Sequence, residues 1–155
     1  MIKIFAEAGI GNKSFFSTEI EKGLFMKECN EFIELVKRTH KIDIKRDYKE
    51  YIDPNFYMQQ IICETQESLE ELKPDNIPYL EAELGDILWS WLMAIENLKT
   101  QGLVRGHEEI IKRALKKFQE RMLPIKGEIE YDEKLWREVK QKQKEALESE
   151  LIGDK

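Results

Sequence analysis

The residues best placed to do chemistry are carboxylates. Glu64-Thr65-Gln66-Glu67 and Glu83-Leu84-Gly85-Asp86 each carry two acids three positions apart. Carboxylate oxygens are hard donors that suit Mg²⁺ or Mn²⁺, with water completing the coordination shell. Spacing alone says little. Acids are 31 of 155 residues, so chance supplies roughly six such pairs, and Glu31/Glu34 or Glu145/Glu148 read as solvated helix faces. Position separates the two pairs from the rest. They fall on consecutive helices joined by a short loop, and such helices pack antiparallel.

Helical geometry tests whether the pairs can meet. At ~100° per residue, Glu64 lies about 120° and Glu67 about 180° from an apolar stripe of Met58, Ile62, Leu69 and Leu72. Glu83 and Asp86 lie about 100° and 160° from the stripe of the next helix, in the same rotational sense. Glu67 is about 9 Å before the loop and Glu83 about 7 Å after it, and Glu64 and Asp86 share the next level at roughly 12–13 Å. The four carboxylates therefore converge, on the expectation that the stripes pack inward. Unpartnered, they would repel and raise one another's pKa, which a hard divalent cation relieves. The alternative at this level is that all four are solvated surface. Gly85, at ~1 kcal/mol against alanine inside a helix, is expected where another helix or a ligand comes close.

Other chemistries are poorly served. Gly11-Asn12-Lys13-Ser14 lacks the adjacent Gly-Lys of a phosphate loop and its earlier glycine, and Gly9-x-Gly11 lacks the third glycine of a dinucleotide turn. His40 and His107 have Lys37 and Val104 three residues before them, not the Glu of a di-iron bundle. With two histidines and with Cys29 and Cys63 in no metal or redox spacing, zinc is disfavoured. Each histidine reads as a surface or capping residue. The formal charge of −6 gives no footprint for nucleic acid. No apolar run approaches the ~18 residues of a membrane span, and no signal peptide opens the chain. The expectation is a cytoplasmic protein.

The elements that must position the acids are helices. Phe25, Cys29, Phe32, Ile33 and Val36 mark a helix over about 24–39, and the charged stretch 40–53 reads as a connection. Gly23 argues for a break before it. Pro54 suits the first turn of a helix reaching about 73. The strongest helix covers about 78–101, with Leu80, Leu84, Ile87, Leu88, Trp91, Leu92, Ile95 and Leu98 as its stripe. Trp89 and Met93 then point away, which implies a second packing face. A helix over about 107–122 turns Ile110, Ile111, Ala114, Leu115 and Phe118 inward, and a last one covers about 132–150. The alternation of residues 2–10 and the turn residues Gly9-Ile10-Gly11-Asn12 suggest a short N-terminal β-hairpin, with a helix from Thr18 as its rival. The fold class is all-α: an antiparallel bundle of four to five helices, organised as an extension over 1–23, a core over 24–130 and a C-terminal helix over 131–155.

At these residues the sequence resembles the MazG-type nucleoside triphosphate pyrophosphohydrolases, all-α enzymes whose superfamily includes dimeric dUTPases. Glu64-x-x-Glu67, fifteen intervening residues, Glu83-Leu84-Gly85-Asp86 and Lys117-Phe118-Gln119-Glu120-Arg121 carry the resemblance, over about residues 55–122. Where the family has a glutamate before its first acid, this chain has Cys63. The resemblance implies Mg²⁺ (or Mn²⁺) held by Glu64, Glu67, Glu83 and Asp86. It implies hydrolysis of a nucleoside triphosphate between its α- and β-phosphates, to monophosphate and pyrophosphate, in nucleotide-pool house-cleaning. Glu67 or Glu64 would accept the proton of the attacking water. Lys117 and Arg121, four residues apart, would clamp pyrophosphate, or else form a solvated face. Trp89, Tyr57 or Tyr48 would stack on the base, or simply pack. The resemblance also implies a homodimer or homotetramer. The competing readings are a dUTPase-like enzyme of the same superfamily and a non-enzymatic helical adaptor.

Overall fold

The computed structural model describes residues 19–153, with side chains from residue 21. Among these residues there are five helices and no strand: α1 (Glu19–Arg46), α2 (Pro54–Glu70), α3 (Ile77–Thr100), α4 (His107–Met122) and α5 (Ile129–Gly153). The all-α expectation holds. The expected hairpin lies outside the described residues except at its end, where residues 19–23 are the first turns of α1. Two units divide the chain, one ending at Asn97 and the other starting at Leu98. No helix is long and apolar enough to cross a membrane among the described residues.

The first helix is longer than its hydrophobic pattern suggests. It runs unbroken through Gly23 and continues over residues 40–46, which the charge pattern assigned to a connection. The reason lies in which residues face inward. Val36, His40 and Asp43 are all buried and sit at i, i+4 and i+7, so the helical period persists while its inward residues turn polar. Both histidines are buried, against the expectation of surface positions. The helix stops at Asp47, whose φ of +56° is left-handed. Asp47 N–H donates to the Ile44 carbonyl at 3.1 Å, and Tyr48 N–H to the Asp43 carbonyl at 3.2 Å. These two bonds are the paired C-terminal closure that satisfies the last carbonyls of a helix. The next helix starts as the sequence indicates. Asp53 caps it by accepting from the Asn55 N–H at 2.9 Å, and Pro54 takes the first position.

In the first unit the core gathers around the second half of α3. Every residue from Leu92 to Asn97 is buried, the pattern of a helix enclosed on all sides. Val36, Tyr57, Leu92, Met93 and Ala94 form the centre, with Phe32, Ile33, Phe56, Trp89 and Trp91 packed against it. Trp89 meets Phe32 edge to face at 5.8 Å. Met93 is 0% exposed. Trp89 and Met93 are expected to point away from the core, so this half of α3 is covered on both faces: Leu92 and Ile95 of the expected stripe are buried as well, with Trp91 half-buried beside them. Of the expected stripe only Leu84 and Leu88 are exposed, as are Met58, Ile62 and Leu69 on α2 and Leu72 just after it. A polar group accompanies the core: His40, Asp43, Tyr57, Glu96 and Asn97 are buried. Asn97 Nδ2 donates to the Met93 carbonyl at 3.0 Å and to the Tyr51 carbonyl at 3.2 Å, tying the α1–α2 connection to α3. The Tyr57 hydroxyl is pushed up to about 12, first by burial and then by Asp43 and Tyr51.

The second unit begins with the last turn of α3. Gly102, at φ +73°, closes that helix: its N–H donates to Lys99 O at 3.0 Å and the Leu103 N–H to Leu98 O at 2.9 Å. The α4 and α5 helices pack against each other. The inward face of α4 differs from the expected one. Ile110, Ala114 and Arg121 are half-buried, whereas Ile111, Leu115 and Phe118 are exposed. Leu135, Trp136, Val139 and Gln143 are half-buried on α5.

Candidate metal centre on the α2–α3 hairpin

The hairpin loop holds α2 and α3 in register through side-chain amide chemistry. Glu71 ends α2, its N–H donating to the Glu67 carbonyl at 3.1 Å. Asn76, one residue before α3, donates from Nδ2 to the Glu71 carbonyl at 3.0 Å and also to the Glu71 carboxylate. Lys73 Nζ stands 3.4 Å from the same carboxylate. The Asn76 hydrogen bond, with Lys73 behind it, holds Glu71 below the usual carboxylate range. Asp75, at φ +56°, supplies the left-handed turn that a short loop needs.

Given that register, three acids meet. Glu64, Glu83 and Asp86 each offer a carboxylate oxygen within 4.8 Å of the others. Glu64 and Glu83 are half-buried and Asp86 is exposed. The sequence predicts that four acids converge; three do, Glu67 lies outside, and the cause differs from the one argued from periodicity. The inward face of α2 is Tyr57, Glu64 and Ser68, at i, i+7 and i+11, not the Met58–Leu72 stripe. Glu64 therefore meets α3 as part of the packed face and not from its shoulder. The Ser68 hydroxyl, one turn further on, is buried and makes no hydrogen bond.

Electrostatics carry the same message. Burial pushes Glu64 above the ordinary carboxylate range, and the charges of Glu67, Asp86 and Glu83 push it further. Glu83 is raised by burial, then by Glu67, Asp86 and Glu71. Glu67 is exposed and stands outside the close trio, yet its charge is felt by both Glu64 and Glu83. Among the described residues no lysine or arginine pairs with Glu64, Glu67, Glu83 or Asp86. A like-charged trio with no cation of its own could hold a hard divalent ion, which the residues fit in oxygen chemistry and in openness to water. Among the described residues a Cβ on Gly85 would meet no atom within 4 Å, so no close approach by them accounts for that glycine.

The other candidates are distributed as follows. Trp89 is engaged with Phe32 in the core of the first unit, Tyr57 is buried, and Tyr48 stacks edge to face on Tyr51 at 5.8 Å. Cys29 and Cys63 are free thiols, the second exposed. Lys117 and Arg121 belong to the second unit. The Lys117 Nζ lies 4.7 Å from the Phe118 ring centroid, and the Arg121 Cζ lies 5.9 Å from Phe118 and 5.2 Å from Trp136. Sequence reasoning missed Glu71 and Asn76 as parts of the site's scaffold. The signal was an acid at the end of one helix and an amide just before the next, which a loop reading treats as generic turn chemistry.

The site is thus a helical hairpin of an all-α protein that brings three carboxylates, Glu64, Glu83 and Asp86, to one spot. Residues 53–123 match the family model of the MazG nucleotide pyrophosphohydrolase domain. That segment runs from the cap of α2 to the residue after α4, and the match supports its assignment as a MazG-type domain. Members of this family are nucleotide pyrophosphohydrolases, which are hydrolases, and generally use a divalent metal. No curated protein and no solved structure matches the chain.

Proposed function

We propose that this protein is a Mg²⁺-dependent nucleoside triphosphate pyrophosphohydrolase, releasing a nucleoside monophosphate and pyrophosphate in a nucleotide-cleansing role. The observation that carries the reading is the trio of Glu64, Glu83 and Asp86 within 4.8 Å, unpaired with any lysine or arginine among the described residues. Glu64, Glu83 and Asp86 would hold the ion, with Glu67 beside them. When bound, Mg²⁺ offsets phosphate charge and acidifies water. The remaining work falls to the chain. Glu67, exposed at the rim, is free to take the proton of an attacking water, and Glu64, with its raised affinity for a proton, is the second acceptor. Lys117 and Arg121, on α4, would bind pyrophosphate, one as a point charge and the other through its planar fork. The exposed apolar residues of α2 and α3 would be covered by a second copy of the chain.

The test is direct. Purified protein is incubated with each common NTP and dNTP, with and without Mg²⁺, and monophosphate and pyrophosphate are followed. Turnover that requires Mg²⁺ and vanishes in Asp86→Asn, with helicity intact, is the expected result. No turnover on any nucleotide would favour a helical adaptor, and turnover confined to dUTP would favour the dUTPase-like alternative.

A further inference from the structure

The C-terminal helix α5 lies beyond the matched segment, yet it makes specific contact with the cationic pair of α4. Gln143 is the centre of that contact. Its Oε1 accepts from Arg121 Nε at 2.7 Å, and its Nε2 donates to the Lys117 carbonyl at 3.1 Å and to Glu120 Oε2 at 2.7 Å. Trp136, also on α5, places its ring 5.2 Å from the Arg121 Cζ. Arg121 is thus held along one edge by a neutral amide and against one face by an indole.

A second arginine on the same helix provides the contrast. Arg113 donates from Nη1 to Glu150 Oε2 at 2.9 Å and from Nη2 to Glu150 Oε1 at 2.6 Å. Its fork is closed by a bidentate carboxylate from α5. At Arg121 the same helix offers glutamine. Neither Lys117 nor Arg121 has a carboxylate partner among the described residues. Arg121 is half-buried nonetheless, and a guanidinium removed from water ordinarily acquires a counter-charge. Only its Nε is taken up by protein. Its two terminal nitrogens, and the Lys117 ammonium one turn away, remain for an anion.

We infer that Gln143 and Trp136 are positioning residues: they fix the Arg121 guanidinium while leaving its charge uncompensated, so that Arg121 and Lys117 receive the oxyanions of a diphosphate. This rests on the reading of Lys117 and Arg121 as the pyrophosphate clamp. An amide at 143 orients the fork without filling it, and a carboxylate would fill it. The α5 helix is in this respect part of the phosphate-handling machinery and not only a cover for α4.

The experiment measures binding of inorganic pyrophosphate to the full chain by calorimetry in metal-free buffer, with melting temperature recorded for every variant. Arg121→Ala should lose about tenfold or more in affinity. Gln143→Leu should lose about threefold to tenfold. Gln143→Glu should lose more than Gln143→Leu, although it keeps an acceptor for the Arg121 Nε. The Gln143 variants are compared in a Glu120→Gln background, which removes the clash of two carboxylates; there that order is the readout a merely structural role would not give, since glutamate keeps the acceptor for Arg121 that leucine lacks. Trp136→Ala should weaken binding and Trp136→Phe should restore it, a comparison that decides the matter if the Gln143 variants do not fold. Wild-type affinity in Arg121→Ala would refute the clamp itself. Loss in Arg121→Ala with wild-type affinity in both Gln143 variants, or a greater loss in leucine than in glutamate, would overturn the present inference alone.

Discussion

Neutralising Glu64 should stabilise the metal-free protein and abolish its response to Mg²⁺. The two effects have opposite consequences for a melting curve, which makes the variant a sharp test. In the absence of a cation, Glu64 faces Asp86 at no more than 4.8 Å. Two unit charges at that distance repel by about 0.9 kcal/mol in water and about 3.5 kcal/mol at an effective dielectric of 20. Asp86 is exposed, which sets the pair near the lower value, so about 1 kcal/mol is the expected gain. Relief from burial of the Glu64 charge acts in the same direction. For a chain of this size, 1 kcal/mol shifts the melting temperature by about 2–4 °C.

The assay is thermal unfolding of wild type and Glu64→Gln, followed by circular dichroism at low ionic strength, in EDTA and in Mg²⁺. Low salt is required because exposed charges are screened over about 10 Å at 0.1 M. In EDTA the variant should melt about 2–4 °C higher. At a Mg²⁺ concentration a hundredfold above its dissociation constant, wild type should gain about 2.7 kcal/mol, and the variant little. Glu64 and Glu83 both bind protons more tightly than ordinary carboxylates, so Mg²⁺ binding near pH 5 should release protons from wild type and fewer from the variant. A variant that melts at or below wild type in EDTA, or that Mg²⁺ stabilises equally, refutes the reasoning.

Three further outcomes are expected. His40 is held below its usual pKa of 6.5 by burial, against the pull of Glu96 and Asp43; the unfolded chain therefore takes up the proton first, and the stability is fully present above about pH 6.5 and lost as pH falls from there through the folded value. Urea titrations from pH 8 to 5 should show that loss, and a His40→Gln variant with an unchanged slope would count against it. Met93→Ala, at a side chain with 0% exposure, should cost about 2–5 kcal/mol by urea unfolding, and a loss below about 1 kcal/mol would contradict its place at the centre of the core. Wild type should sediment as a dimer or larger, and Ile62→Glu with Leu84→Glu should sediment as a monomer; a wild-type monomer at micromolar concentration would end the proposal that a second copy covers α2 and α3.

How much of this was legible in the sequence depends on what each residue was competing with. The helices α2, α3 and α4 could be placed because their ends carry local chemistry: Asp53 and Pro54 before one, Gly102 and Gly106 between the other two. The extension of α1 over residues 40–46 was not legible, since its inward residues there are His40 and Asp43, and a hydrophobic period cannot register a face that turns polar. The carboxylate site shows a subtler limit. The rotation of the acids against the apolar stripes was measurable, but which stripe faces inward was not. Leu84 and Leu88 look like core residues by type, and Trp89, Ser90, Met93 and Asn97 do not form an obvious stripe. Yet Ser90, Met93 and Asn97 are buried together with Leu92 and Ile95, while Leu84 and Leu88 are exposed. A helix apolar on two faces offers two ways to pack, and one chain decides only which face it covers itself. Three of the four acids still meet because the prediction rested on height along the hairpin as well as on rotation, and height is set by the loop from Glu71 to Asn76. The same packing leaves Leu84 and Leu88 on α3, and Met58, Ile62 and Leu69 on α2, exposed. The feature that misled the inward assignment is therefore the feature that calls for a second copy of the chain, and the sedimentation of the Ile62 and Leu84 variants tests both statements at once.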